Sequence, residues 1–186
     1  MSVAALLDDV VDALTSAGIP FMLTGSFAAA IHGAARATMD IDLVIDPDPR
    51  ALEVFVTRML HAGRYASPEA AREALDARTM FNVVDPESGW KIDLIVRKER
   101  PFSRSEFGRR TELMLGSVRL PVATVEDLVL AKLEWARMGG STRQIEDVRA
   151  LVHLAGAEFD LDYVRQWMEA LGVGAQWRAA GFADLG

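Results

Sequence analysis

No cysteine occurs among the 186 residues, which excludes a disulfide framework, a thiolate metal centre and a thiol nucleophile. Histidine is nearly as scarce. His32, His61 and His153 are scattered with no second ligand at metal spacing, so zinc is not expected, and His32 beside Gly33 reads as a helix-end residue. No stretch approaches the length of a membrane span, and the apolar start at Val3 to Leu7 is broken by Asp8 and Asp9 and lacks a basic leader. These absences lead to the expectation of a cytoplasmic protein without a membrane partner. Basic charge is also short. Twenty Lys and Arg against 27 Asp and Glu give a net charge of −7, which argues against a general grip on duplex nucleic acid and leaves only a local basic groove. A Walker loop, a Ser-His-Asp arrangement, a Rossmann fingerprint, internal repeats and Gly-, Ser- or Pro-rich linkers are all missing.

What is present is ordinary globular composition, with 51% hydrophobic and 25% charged residues. The periodicity predicts a helix over Val3 to Ala17, stopped by Gly18, then a short strand at Phe21-Met22-Leu23, a turn at Thr24-Gly25-Ser26 and an alanine-rich helix to Ile31. Asp40 to Asp46 alternates as a strand, Arg50 to His61 carries one helical stripe closed by Gly63, and Ser67-Pro68-Glu69 marks a helix start. Phe81 to Val84 and Lys91 to Val96 read as strands joined through Pro86 and Gly89, and Gly116-Ser117 as the turn of a second hairpin. Beyond Pro121 the pattern becomes helical. Thr124 and Asp127 form a capping-box-like start to a helix through Arg137, followed by helices over about 142–154 and 161–171, with Asp160 capping the last.

Two devices in the first half carry chemistry. Gly25-Ser26, between a strand and a helix, lets backbone approach a ligand and offers N–H donors to a phosphate, although the same pair also serves as a plain turn and cap. Asp40 and Asp42 are two residues apart on a strand, so both carboxylates leave one face with Cα atoms roughly 6.6 Å apart. A cation between them is the simplest way to keep both ionised, and oxygen-only ligation favours magnesium over softer metals. The competing reading is an exposed acidic pair. Asp93, inside the apolar run Ile92 to Val96, needs compensation from a metal or, alternatively, from Lys91 or a nearby arginine.

The combination of an apolar strand, Gly25-Ser26, a short helix, Asp40-Ile41-Asp42-Leu43 and a later strand aspartate resembles the signature of the DNA polymerase beta-like nucleotidyltransferases. Arg36 and Thr38, in Arg-Xaa-Thr-Xaa-Asp-Xaa-Asp, are similar to the small bacterial members. The segment Thr124 to Leu133, with Arg143 to Val148, is similar to the helical part of the AbiEii-like toxin nucleotidyltransferases, with Gln144 departing from their first acid. The resemblance implies that Asp40, Asp42 and Asp93 hold two magnesium ions, that Asp93 also helps activate the attacking hydroxyl, and that Gly25, Ser26, Arg36, Thr38 and Lys132 face a nucleoside triphosphate. The alternative for Lys132 is a helix-surface residue near Glu126 or Glu134, and for Asp147 an ion pair with Arg143.

The fold expected is α+β, a small mixed β-sheet of nucleotidyltransferase type with helices on one face. A catalytic core over 1–120 is followed by a C-terminal helical portion over 121–186 that closes the nucleotide cleft. The expected activity is transfer of a nucleoside monophosphate to a hydroxyl of RNA, protein or a small molecule, with tRNA and a partner protein among the candidate partners. The alternative is a catalytically silent member that holds a nucleotide or a partner, within a toxin–antitoxin pair. Two further groups have open readings. The basic residues from Arg97 to Arg110 are either solvated or contact phosphate or RNA, and Trp135, Trp167 and Trp177 are expected to serve helix packing rather than base stacking.

Overall fold

The computed structural model describes residues 3–34, 40–115 and 118–183. Helix α1 (Val3–Ser16) leads into β1 (Phe21–Thr24), α2 (Gly25–Ile31) and β2 (Asp40–Ile45), and then into α3 (Pro49–His61) and α4 (Pro68–Ala77). Strands β3 (Met80–Val84) and β4 (Lys91–Val96) follow, then α5 (Pro101–Arg109), β5 (Thr111–Leu115) and β6 (Val118–Val122). The rest is helical: α6 (Val125–Gly139), α7 (Thr142–Ala155), α8 (Leu161–Leu171) and α9 (Gly174–Ala179).

Local chemistry sets many of these bounds. Asp48 accepts from the Ala51 amide at 2.8 Å with Pro49 in the first turn of α3, and Ser67 caps α4 in the same way. Thr124 caps α6 through the Asp127 amide, Asp160 caps α8 through that of Tyr163, and Gly140 and Gly172 end those helices in the left-handed conformation. The turn read at Gly116-Ser117 falls outside the described residues, but its flanking strands pair as a hairpin from Thr111↔Val122 to Leu115↔Val118. Helix α5 was not foreseen. Its basic residues mask the periodicity, yet Pro101 starts it and Phe102 and Phe107 are buried beneath it.

The strands form one mixed six-stranded sheet in the order β3-β4-β2-β1-β6-β5. β2 lies parallel to β4 and antiparallel to β1, while β6 joins the other side of β1 in parallel. The α+β class is therefore as expected. Because side chains alternate, Ile41, Leu43 and Ile45 share one face with Ile92, Leu94 and Val96, and all six are buried. Phe55 of α3 meets Phe81 of β3 edge-on at 6.5 Å, which places α3 over that apolar face. The opposite face carries Asp40, Asp42 and Val44 beside Lys91, Asp93 and Ile95, and α6 stands over it with residues that share cavities with Val44 and Ile95.

Two polar clusters fasten the parts. The Arg64 guanidinium, buried just after α3, reaches Asp85 at 2.7 Å and Asp9 of α1. On the α6 side, Arg100, the residue just before α5, makes a two-pronged pair with Glu134 of α6, at 2.6 Å for Nη2 to Oε2. Arg109 reaches Asp127 and Glu126, and its guanidinium lies 3.7 Å above the ring of Tyr163, whose hydroxyl donates to Asp127 at 2.6 Å. Much of the basic run after Asp93 is thus spent on internal pairs, with Arg97 on Asp46 at 3.0 Å and Arg104 on Glu99. No described helix is long and apolar enough to cross a membrane.

Candidate active site

The register of two parallel strands makes the site. Asp42 and Asp93 are direct partners across β2 and β4, and Thr24, the last residue of β1, is the partner of Asp42 on its other side. Side chains in direct register leave the same face, so two carboxylates from distant parts of the sequence are forced into proximity by backbone pairing alone. Asp93 is 6% exposed. With Gly25, Ser26 and Thr24 on one wall and Leu128, Ala131, Lys132, Trp135 and Gln144 on the other, the two acids line a cleft of about 270 Å3.

Gly25 sits at φ +70°, and a Cβ placed there would fall 1.9 Å from Oδ2 and 2.7 Å from Cγ of Asp42. Both the backbone angle and the contact demand glycine. Lys132 is only 3% exposed and donates to Asp147 at 2.7 Å and to Gln144 at 3.3 Å, so it is a buried bridge between α6 and α7, not a surface residue. Asp147 accordingly pairs across helices. Lys132 is a cationic partner of it, a contact that spacing within α7 does not reveal.

Asp40 stands apart. Its side chain is more than half exposed and does not line the cleft, but it is linked to the other acids through Lys91, whose ammonium lies 3.7 Å from Asp40 Oδ1 and 2.9 Å from Asp93 Oδ2. Both readings of Asp93 are thus represented: Lys91 holds one oxygen, while Oδ1 is buried with no hydrogen-bond partner among the described residues. A buried carboxylate oxygen without a donor is costly unless a cation completes it. Arg36 and Thr38 lie outside the described residues.

The electrostatics follow from the crowding. Burial first, then the carboxylates of Asp93 and Asp40, push the Asp42 carboxyl up to about 6, with Lys132 and Lys91 opposing. The hydrogen bond to Asp93 in turn holds the Lys91 ammonium above its ordinary range. Among the described residues no three acidic or histidine side chains are grouped so that they could hold a metal ion together. The donor chemistry of Asp42 and Asp93 nevertheless fits a small hard cation: oxygen ligands, like charges pressed together, and a buried oxygen without a donor on a residue that lines the cleft.

Sequence reasoning missed two lining residues. Trp135 was expected to pack in the interior, but it is 55% exposed at the cleft, while Trp167 packs edge-on against Phe102 at 5.5 Å and Trp177 is buried. Gln144 was seen only as a departure from a motif, and here it accepts from Lys132. His32 ends α2 as read, with its Nε2 2.9 Å from the Ala123 carbonyl oxygen.

This architecture is a nucleotidyltransferase fold. It superimposes on the solution structure of the antibiotic-resistance factor ANT(2″)-Ia with a TM-score of 0.60 at 13% identity, covering 96% of this chain and 97% of that one. The crystal structure of ANT(2″)-Ia in complex with adenylyl-2″-tobramycin gives 0.59 at 16% identity, over 90% of this chain and 95% of the other. An antigenic nucleotidyltransferase-like protein from Paracoccidioides brasiliensis gives 0.55 at 17% identity, over 94% and 90%. No family model matches the chain, and no curated protein matches it in sequence.

Two outcomes test the site's physics. Gly25→Ala must displace the Asp42 carboxylate and adopt an unfavourable backbone angle, so it should destabilise the protein by about 2 kcal/mol or more in urea denaturation. An unchanged urea midpoint would contradict the close contact. Asp42→Asn should do the opposite in the presence of chelator. The raised folded-state pKa means that Asp42 favours the fold below its unfolded value near 4, and that this contribution is lost as pH rises through about 6. The variant should therefore gain up to about 2 kcal/mol at pH 7.5 and nothing at pH 4. Denaturation curves at the two pH values check the sign.

Proposed function

We propose that the chain is a magnesium-dependent nucleotidyltransferase that moves a nucleoside monophosphate from a nucleoside triphosphate to a hydroxyl of an acceptor. The observation that carries this reading is the in-register pair Asp42 and Asp93 facing Gly25, with the unpartnered Oδ1 of Asp93 beside it. Asp40, Asp42 and Asp93 would hold two magnesium ions, which when bound supply charge stabilisation to the transferring phosphoryl group.

The protein's own groups do the rest. Gly25 and Ser26 bring backbone and a hydroxyl against the triphosphate, and Lys132 faces them from α6 across the cleft. Asp93 accepts the proton of the attacking hydroxyl as its oxygen bonds to the α-phosphorus. The bond from that phosphorus to the bridging oxygen breaks, and pyrophosphate departs. Arg36 and Thr38 join the phosphate contacts by their likeness to the small bacterial members. Lys91 has a separate part: its ammonium on Asp93 and Asp40 neutralises the acids before the triphosphate arrives.

The catalytic core is assigned to 1–120 and the closing helices to 121–186. Lys132 and Asp147 support placement near the AbiEii-like branch, where a toxin–antitoxin role would follow. ANT(2″)-Ia, seen with adenylyl-2″-tobramycin, makes a small polyhydroxyl molecule the first acceptor to try, ahead of tRNA and protein. A silent nucleotide-holding module is disfavoured by the intact acids. Incubating the protein with each α-labelled triphosphate, magnesium and aminoglycoside, total tRNA or protein acceptors should move label onto one class. Asp42→Asn and Asp93→Asn should each lose at least about a hundred-fold in that transfer while remaining folded by circular dichroism. Undiminished transfer by either variant refutes the assignment.

A further inference from the structure

Helix α6 carries a stripe of residues over the acid-bearing face of the sheet. Leu128, Ala131, Lys132 and Trp135 line the acid cleft, and Ala131, Glu134, Trp135 and Met138 line a second cavity of about 130 Å3 next to it. Their spacing of three and four places them along one side of the helix. Thr24 and Ile95 are common to both cavities, as are Ala131 and Trp135, so the two form one continuous trough with the indole at the junction.

A single exposed aromatic needs no explanation, but this one is not isolated. Met80 lines the acid cleft at 45% exposure and Met138 lines the second cavity at 55%, so three large, exposed apolar side chains border one trough. The second cavity has an apolar floor of Val44, Ile95 and Phe102, with the polar ends of Ser103, Glu106 and Glu134 around it. Glu106 is a carboxyl the proposed mechanism does not use. Burial, then the charge of Asp127, lifts it to about 8, so near neutral pH it can both donate and accept a hydrogen bond. A flat apolar wall above a small cavity with donors and acceptors at its rim suits a planar heteroaromatic ring.

We propose that Trp135 is the stacking platform for the base of the nucleoside triphosphate, and that the smaller cavity receives the base's polar edge. The inference rests on the nucleotidyl-transfer reading and extends it to how the nucleotide is gripped. Lys132 and Trp135 are three residues apart, about 4.5 Å along the helix axis, so one helix face presents a cation to the phosphates and a ring to the base. The grip is divided: the charged part of the ligand is held around Lys132 and Gly25, and the aromatic part at Trp135. Stacking on a ring is tolerant of base identity, so any discrimination among bases falls to the rim of the second cavity.

The division can be read directly by comparing ligands with and without a base. Magnesium complexes of the four nucleoside triphosphates and of inorganic tripolyphosphate are titrated against wild type, Trp135→Phe and Trp135→Leu by calorimetry and tryptophan fluorescence. Trp135→Leu should bind the nucleotides about ten-fold or more weakly and tripolyphosphate as wild type does, with Trp135→Phe in between. Wild-type fluorescence should change with a nucleotide and not with tripolyphosphate. Equal losses for both ligands, or nucleotide affinity unaltered in Trp135→Leu, overturn the platform while leaving nucleotidyl transfer standing. A wild-type protein that binds no triphosphate overturns both. Trp135→Phe, which keeps a ring in the same place, preserves the test should the leucine variant fold poorly.

Discussion

The mutual repulsion of Asp42 and Asp93 is the constraint around which this protein is arranged. Backbone hydrogen bonding between β2 and β4 sets the two side by side, and neither can turn away without breaking the register that buries Ile41, Leu43, Ile92 and Leu94 behind them. The apolar face therefore holds the polar face in a configuration it would not adopt alone. Two lysines answer the repulsion from different directions: Lys91 from the same strand as Asp93, and Lys132 from a helix across the cleft. Such a site is poised for further positive charge, which is the condition the proposed transfer reaction would need.

The two lysines differ in how they are themselves held. Lys91 is partly exposed and free to exchange one carboxylate for solvent, whereas Lys132 is buried and fixed by Asp147 and Gln144. A fixed cation is a preorganised element, since its orientation need not be established when a ligand arrives. A partly exposed one serves as a provisional counter-ion. The pairing of a movable charge with an immovable one fits a site that must be electrically tolerable both with and without its ligand.

Much of this was legible in the sequence. The alternation of Asp40 to Ile45 fixed which side chains face the core, Ser67, Thr124 and Asp160 marked helix starts, and Gly25 lies against Asp42, a neighbour the family resemblance had implied. What stayed hidden was whatever depends on pairing between distant elements. That Lys132 meets Asp147, or that Arg100 and Arg109 are consumed by Glu134, Asp127 and Glu126, is decided by how α5, α6 and α7 cross, which local periodicity does not encode. Trp135 was misjudged for a related reason. Aromatic residues in an amphipathic helix usually face the interior, whereas Trp135 faces a cleft over the sheet that only the tertiary arrangement creates.

The clasp between α5 and α6 also bears on how such proteins could diversify. β4 carries Asp93 and is followed by α5, and Arg100 just before that helix and Arg109 at its end grip the helix that carries Lys132. A transplant of the C-terminal helices onto another sheet would leave Glu134 and Asp127 without their arginines, buried or nearly so. The smallest cassette that could be exchanged intact therefore begins at Arg100, upstream of the last two strands, and recombination at the visible boundary after the sheet would cut through the joint rather than around it.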